Sequence, residues 1–341
     1  MTGAERTGDK KYTATRGTIS MIGSWGLAAV PCLAALVLAG SAWASAGQSS
    51  SDPAGGPPPP APGDMQERRV VLVTGSTSGL GEELALRLGR TGAHVIVHGR
   101  NVERGNAVVA AIEAEGSGSA RFYRADFASF DQVREFAETI MRDYDRLDVL
   151  INNAGILGTF DQTREPSRER RLSADGHEVH FQVNYLSHVL LTRMLLPMIV
   201  ESVPSRIVNV SSGLSTMRVT IDFDNVMLEE GYNSMRAYNQ SKLAQIFFTF
   251  DLAEELEGTG VIVSALHPET MMDTPLARLV GNPRTTVDEG ADAVMNLVET
   301  PELESGQYFM VQTPTRANPQ AYDEAARTML RELSQELTGL N

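Results

Sequence analysis

The chain has 341 residues, of which 42% are hydrophobic and 21% charged, a balance that supports a packed core and excludes a disordered chain. Its formal net charge is -14, which argues against nucleic-acid binding through phosphate neutralisation. The single cysteine, Cys32, excludes intrachain disulfides and cysteine-based zinc sites.

In the first 64 residues Arg6, Lys10, Lys11 and Arg16 cancel Glu5, Asp9, Asp52 and Asp64, so the acidity belongs to the rest of the chain. Lys10, Lys11 and Arg16 precede an apolar run, Met21 to Ala39, followed by Ala42-Trp43-Ala44 and Ala44-Ser45-Ala46. A basic start, an apolar stretch and small residues form the layout of a secretory signal. The run is also nearly long enough for a membrane anchor. Residues 50 to 64, SSDPAGGPPPPAPGD, form a Pro/Gly/Ser linker without apolar periodicity. Three readings stand open: a signal, an anchor, or an upstream extension with Met65 as the true start. The first two place the protein outside the cytoplasm or on a membrane through residues 21 to 46; the third leaves it cytoplasmic. In each, residues 1 to 64 form a disordered extension and residues 65 to 341 one domain.

From Arg69 onward β-branched runs alternate with helical stretches. The runs are RVVLVT, HVIVH (94 to 98), ARFYRAD (120 to 126), LDVLIN (147 to 152), RIVNVS (206 to 211), VIVSALH (261 to 267) and QYFMV (307 to 311). EELALRLGR, VREFAETIMRDY and YLSHVLLTRMLLPMIV carry helical period between them. Alternation with continuous apolar strands implies an α/β domain, a doubly wound parallel sheet covered on both faces. Ligands of such sheets bind beyond the carboxyl ends of the strands.

The first strand is followed by TGSTSGLG, with glycines at 75, 79 and 81 opening a helix. Strand, glycine-rich turn and helix in that order form a dinucleotide-binding signature, whose backbone N–H groups approach a pyrophosphate. The second strand ends His98-Gly99-Arg100, where an acidic residue would hold the ribose 2'-hydroxyl of NAD. Arginine there favours the 2'-phosphate of NADP over NAD. His177 and His180 read as residues of a surface helix. Tyr238 and Lys242 stand one helical turn apart in AYNQSKLAQ. At the end of the chain Ala325, Met329 and Leu333, spaced by four, predict the apolar stripe of a closing helix.

Over roughly residues 68 to 311 the chain resembles the short-chain dehydrogenase/reductase family. The motifs are TGSTSGLG, Asp126 after the third strand, NNAG at 152 to 155, Asn184 in FQVNYL, NVSS at 209 to 212 and YNQSK at 238 to 242. The gap from Ser212 to Tyr238, together with FQVNYLSHVLLTRMLLP, is most similar to the retinol-dehydrogenase-like branch. The resemblance implies a Rossmann fold and a catalytic group of Asn184, Ser212, Tyr238 and Lys242. It assigns the dinucleotide to Gly75, Ser76, Thr77, Ser78, Gly79, Leu80, Gly81, Arg100, Asp126, Phe127, Asn153, Ala154, Gly155, Tyr238 and Lys242. Asp126 would accept from the adenine, Asn184 would hold a water beside Lys242, and Ser212 rather than Ser211 would bind the substrate oxygen. No metal site is implied.

Tyr238 would act as general acid/base. A free phenol titrates near ~10, so this role needs a shift worth about 4 kcal/mol, and a lysine on the same helix face favours the phenolate. The expected activity is NADP-dependent interconversion of an aldehyde or ketone with an alcohol. A non-catalytic dinucleotide-binding redox sensor is the alternative from another class. Oligomeric state is open.

The sequence departs from the family after the sixth strand. HPETMMDTPL, residues 267 to 276, has Glu269 where a glycine is usual and Thr274 one step late for the residue that reaches the nicotinamide. Leu214, Met217, Val219, Ile221, Phe223, Val226 and Met227, with Met271, Met272, Leu276 and Leu279, are the apolar residues of the two segments that wall the substrate cleft in this family. They suit a lipophilic substrate or packing against the domain.

Overall fold

The computed structural model describes residues 68–157, 166–213, 219–279 and 281–340. The N-terminal signal, anchor or extension lies outside the described residues, as do Leu214 and Met217. Eight strands form one sheet: β1 (Val70–Val73), β2 (His94–Gly99), β3 (Ser119–Arg124), β4 (Val149–Asn152), β5 (Ser205–Val210), β6 (Val261–His267), β7 (Gln307–Met310) and β8 (Thr313–Pro314). Their order is β3-β2-β1-β4-β5-β6-β7-β8. The first seven pair in parallel, and β8 returns antiparallel to β7.

All four residues of β1 are buried, as expected of a strand between parallel neighbours with helices on both faces. Side-chain alternation divides them: Val70 and Leu72 enter one core, Val71 and Val73 the other. The first core takes residues of helices α3 (Phe130–Asp143), α4 (Val179–Glu201) and α5 (Ser234–Glu255). The second takes those of α1 (Gly79–Arg90), α2 (Val102–Glu115) and α7 (Val287–Glu299). A four-residue turn of helix, α6 (Pro275–Arg278), follows β6, and α8 (Glu324–Thr338) ends the chain.

Caps set the helix boundaries. The side chains of Asn101 and Ser129 accept from the backbone N–H three residues on, and Thr286 with Glu289 forms a reciprocal capping box. Helix α4 begins six residues before the apolar run from Tyr185 and contains a π-helical turn, Gln182–Leu186. Among the described residues it is the one helix long and apolar enough to cross a membrane, yet most of its apolar stretch is buried inside the domain.

Two expectations need correction. The buried face of α8 runs through Ala326, Leu330, Ser334 and Thr338, while Met329 is 49% exposed. The stripe is displaced by one residue because the face is partly polar: Tyr185 and Ser334 share a hydroxyl hydrogen bond of 2.8 Å, and Arg327 pairs with Glu254 at 2.8 Å. His180 is not a surface residue either; it is 2% exposed and bonded to Glu178 at 2.7 Å.

Candidate active site

β1 lies between β2 and β4, so the connections leaving β1 and β4 run in opposite directions and open a crevice at their carboxyl ends. The loop after β1 packs against the NNAG segment backbone to backbone. A Cβ on Gly81 would stand 2.4 Å from the Gly75 carbonyl and 2.5 Å from Asn153 Nδ2; Gly75 itself has φ +67° and Ala154 Cα at 2.8 Å from its Cβ position. Only glycine fits. Asn153 Nδ2 donates to the Thr74 carbonyl at 2.8 Å, and the N–H groups of Asn153 and Ala154 both donate to Thr74 Oγ1 at 2.9 Å. Ser78 makes no side-chain cap at the start of α1, which leaves first-turn N–H groups for an anion. A loop this tight, ending at a helix start, fits a dinucleotide pyrophosphate.

The other cofactor assignments separate into two sets. Ser76 binds the loop inward, donating to the Val73 carbonyl at 2.8 Å and accepting from the His98 N–H at 2.9 Å. Gly99 makes room for Thr77, whose Cγ2 would lie 2.5 Å from a Cβ there. Leu80 and Phe127 are core residues, 6% and 3% exposed, and the Phe127 ring stacks on His98 at 4.5 Å. Arg100 and Asp126 face outward: the arginine side chain is 68% exposed and lies 3.7 Å from Asp126 Oδ2, while Asp126 Oδ1 accepts from the Ala128 N–H at 3.0 Å.

Two buried histidines brace this cradle. His98 Nδ1 accepts from the Gly75 N–H at 3.1 Å, and Nε2 donates to the Ala125 carbonyl at 3.2 Å. His188 Nδ1 donates to the Asn184 carbonyl at 2.9 Å, so in the neutral ring Nε2 accepts from the Thr74 hydroxyl at 3.1 Å. Burial keeps both rings neutral, lowering their pKa values to about 4 and about 3. Sequence reasoning missed both; the signals available were the strand-end position of His98 and the i+4 spacing of His188 from Asn184.

Helix α5, capped by Asn233, carries Tyr238 and Lys242 on successive turns. Tyr238 is 8% exposed, and its hydroxyl is hydrogen-bonded to the Ser212 side chain just beyond β5. Ser211 points elsewhere, donating to the Lys242 carbonyl at 2.7 Å. Lys242 Nζ donates to the Val210 carbonyl at 2.8 Å and to Gln245 Oε1 at 3.1 Å. A Cβ on Gly155 would lie 3.4 Å from both Lys242 Nζ and Asn184 Oδ1. Lys242 and Asn184 thus meet beside Gly155, while Tyr238, one turn earlier on the helix of Lys242, pairs with Ser212.

Two details differ from expectation. Burial holds the Tyr238 pKa above its ordinary value, although the Ser212 hydrogen bond pulls it down. Lys242 Nζ is bonded instead to the Val210 carbonyl and Gln245, and burial brings its own pKa down to about 7. The Asn184 side chain is committed to protein, accepting from the Ile156 N–H at 2.8 Å and donating to the Ile156 carbonyl at 3.0 Å and Ser241 Oγ at 2.9 Å. A water on Asn184 would have to use a remaining oxygen lone pair.

In the loop after β6, Glu269 accepts from the Thr270 N–H at 2.8 Å, and the left-handed backbone falls on Met271, φ +55°. The Thr274 hydroxyl caps α6, accepting from the Ala277 N–H at 3.1 Å, and its methyl would lie 3.1 Å from a Cβ on Gly79. That places Thr274 over the glycine-rich loop. Of the cleft-wall residues, Ile221 and Val226 belong to the core; Val219, Phe223 and Met227 pack against it, and Met272 packs on the opposite core. Leu276 and Leu279 remain exposed at 36% and 62%.

Residues 69–284 match the family model for short chain dehydrogenase. Human retinol dehydrogenase 14 is 37% identical over 303 residues, covering 80% of this chain and 87% of that protein. Human retinol dehydrogenase 13 is 36% identical over 292 residues, covering 80% and 85%. Among solved structures, an uncharacterised protein from Mycobacterium paratuberculosis aligns with TM-score 0.65 at 29% identity, covering 80% of this chain and 93% of that one. A short chain dehydrogenase from Shigella flexneri complexed with NADP aligns with TM-score 0.57 at 25% identity, covering 73% and 99%.

Proposed function

The chain belongs to the short chain dehydrogenase family, on its retinol-dehydrogenase-like branch, and is an NAD(P)-dependent oxidoreductase of alcohol and carbonyl groups; from that premise we propose that it uses NADP, that Tyr238 is its general acid/base, and that its substrate is a lipophilic aldehyde, ketone or alcohol. The observation that carries the proposal is the Tyr238–Ser212 hydrogen bond, on the helix that also carries Lys242, whose Nζ lies with Asn184 Oδ1 beside Gly155.

When bound, the dinucleotide supplies the hydride for reduction or accepts it in oxidation. Reduction of a carbonyl places negative charge on its oxygen. Tyr238 donates a proton to that oxygen, and Ser212 hydrogen-bonds it as charge develops. The Tyr238 pKa, raised by burial, keeps the hydroxyl protonated and ready to donate at neutral pH. Oxidation of an alcohol needs the reverse transfer, from the substrate hydroxyl to the Tyr238 phenolate, which the Ser212 hydrogen bond favours by lowering the Tyr238 pKa. Asn153, Ala154 and Gly155 line the cofactor crevice, and Asp126 and Thr274 border it.

The preference for NADP rests on Arg100, exposed beyond β2 at the position where NAD enzymes carry an acidic residue. The Shigella flexneri relative in complex with NADP supports the same choice. The lipophilic substrate rests on exposed Leu276 and Leu279 beside Thr274 and on relatives named for retinol. Residues 65–341 form the catalytic domain in this reading, and residues 1–64 are a signal, an anchor or an upstream extension with Met65 as the true start; mass spectrometry of the mature N-terminus distinguishes the three.

The direct assay is NADPH oxidation by the purified full-length protein against aldehydes and ketones of increasing chain length. Turnover should rise with substrate hydrophobicity, with kcat/KM at least about tenfold higher for NADPH than for NADH. A preference for NADH, or no turnover across the panel, contradicts the reading.

A further inference from the structure

Glu178 is 1% exposed, and a carboxylate so placed is costly unless several donors satisfy it. Its Oε1 accepts from His180 Nδ1 at 2.7 Å and from the Tyr232 hydroxyl at 3.3 Å; its Oε2 accepts from the Phe181 N–H at 2.8 Å. His180, equally buried, turns Nε2 to the Leu157 carbonyl at 3.2 Å, so that in the doubly protonated ring both nitrogens donate, one to the carboxylate and one to the backbone.

These three side chains meet where three segments of the site diverge. Leu157 directly follows the NNAG segment and Ile156. Glu178 and His180 stand at the head of α4, just upstream of Asn184. Tyr232 adjoins Asn233, the cap of α5, one and a half turns before Tyr238. Because Asn184 already holds both the N–H and the carbonyl of Ile156, His180 supplies a third backbone anchor for the same short stretch. Gly155, at its start, is the residue beside which Lys242 and Asn184 meet. An apolar cluster of similar volume would stabilise the fold as well; a buried polar network with directional bonds additionally fixes one register.

We propose that Glu178, His180 and Tyr232 are positioning residues that hold Gly155–Leu157, Asn184 and Tyr238 in catalytic register. The proposal rests on the assignment of Tyr238 above. It carries weight because displacement of a reacting group by about 1 Å costs on the order of a hundredfold in rate.

The test uses the full-length protein with Tyr232→Phe, His180→Leu and His180→Gln, measured well below their melting temperatures. The readouts are kcat, KM, the NADPH dissociation constant and hydrogen exchange at the Ile156 amide. Tyr232→Phe and His180→Leu should lose about tenfold or more in kcat, with NADPH affinity unchanged and faster exchange at Ile156. His180→Gln, which keeps an N–H donor toward Leu157, should stay within about threefold of the parent. Unchanged kcat with only a lowered melting temperature, or a fall in kcat without faster exchange, overturns the proposal. If the parent protein shows no turnover, the assignment of Tyr238 fails, and exchange at Ile156 alone decides the register: faster exchange in the variants supports it and unchanged exchange refutes it.

Discussion

Ser211 and Ser212 are adjacent, buried and chemically identical, yet one bonds the Lys242 backbone and the other the Tyr238 hydroxyl. Their separation follows from side-chain alternation at the end of β5. Ser212→Ala should lower kcat by about a hundredfold or more, the usual cost of removing an oxyanion donor, with little change in melting temperature. Ser211→Ala should cost about 1 kcal/mol of stability and leave kcat within a few-fold; kinetics and calorimetry on both variants check the division. Arg100→Ala should reduce kcat/KM for NADPH by about ten- to a hundredfold, the worth of a charge-assisted bond, and leave NADH kinetics unchanged. Steady-state assays with both cofactors decide it. At this scale the sequence displays Tyr238 and Lys242 through their spacing, because a helix puts i and i+4 on one face. It does not display the direction of Lys242 Nζ, which depends on a carbonyl in β5 and on Gln245, nor the contact between His188 and Thr74, which are 114 positions apart.

The strands were legible as elements because central ones carry apolar runs buried on both faces, as VVLV in β1 does. β8 was not, since it is two residues long and includes Pro314, a residue suited to a sheet edge. The face of α8 was displaced by one residue because Ser334 and Arg327 are buried by partners on other helices, which a pattern of apolar letters cannot report. The loop after β6 shows the same limit: Glu269 marks a departure, but the left-handed residue is Met271. The glycine-rich loop yields the sharpest prediction for an element. Gly81→Ala puts a methyl 2.4 Å from the Gly75 carbonyl and forces the loop and the NNAG segment apart. The variant should bind NADPH at least about a hundredfold more weakly, as a misplaced cradle requires. Isothermal titration tests this, and parental affinity contradicts the packing argument.

Over the whole molecule, buried histidines set the response to acid. His94, His98 and His188 have folded pKa values lowered by burial to about 4, about 4 and about 3. The unfolded chain takes up these protons first, near pH ~6.5. Stability is therefore full above that value and declines as pH falls through the window toward 4, by up to on the order of 3 kcal/mol per histidine. Calorimetry across the window should show a falling melting temperature, with the slope reduced in His94→Gln; a flat profile contradicts it. The central claim, that Tyr238 exchanges the proton in this dehydrogenase, is tested most directly by Tyr238→Phe in the full-length protein, comparing kcat with NADPH affinity. The account predicts a loss of about a hundred- to ten-thousandfold in kcat with the NADPH dissociation constant unchanged, whereas near-parental turnover in that variant would contradict it.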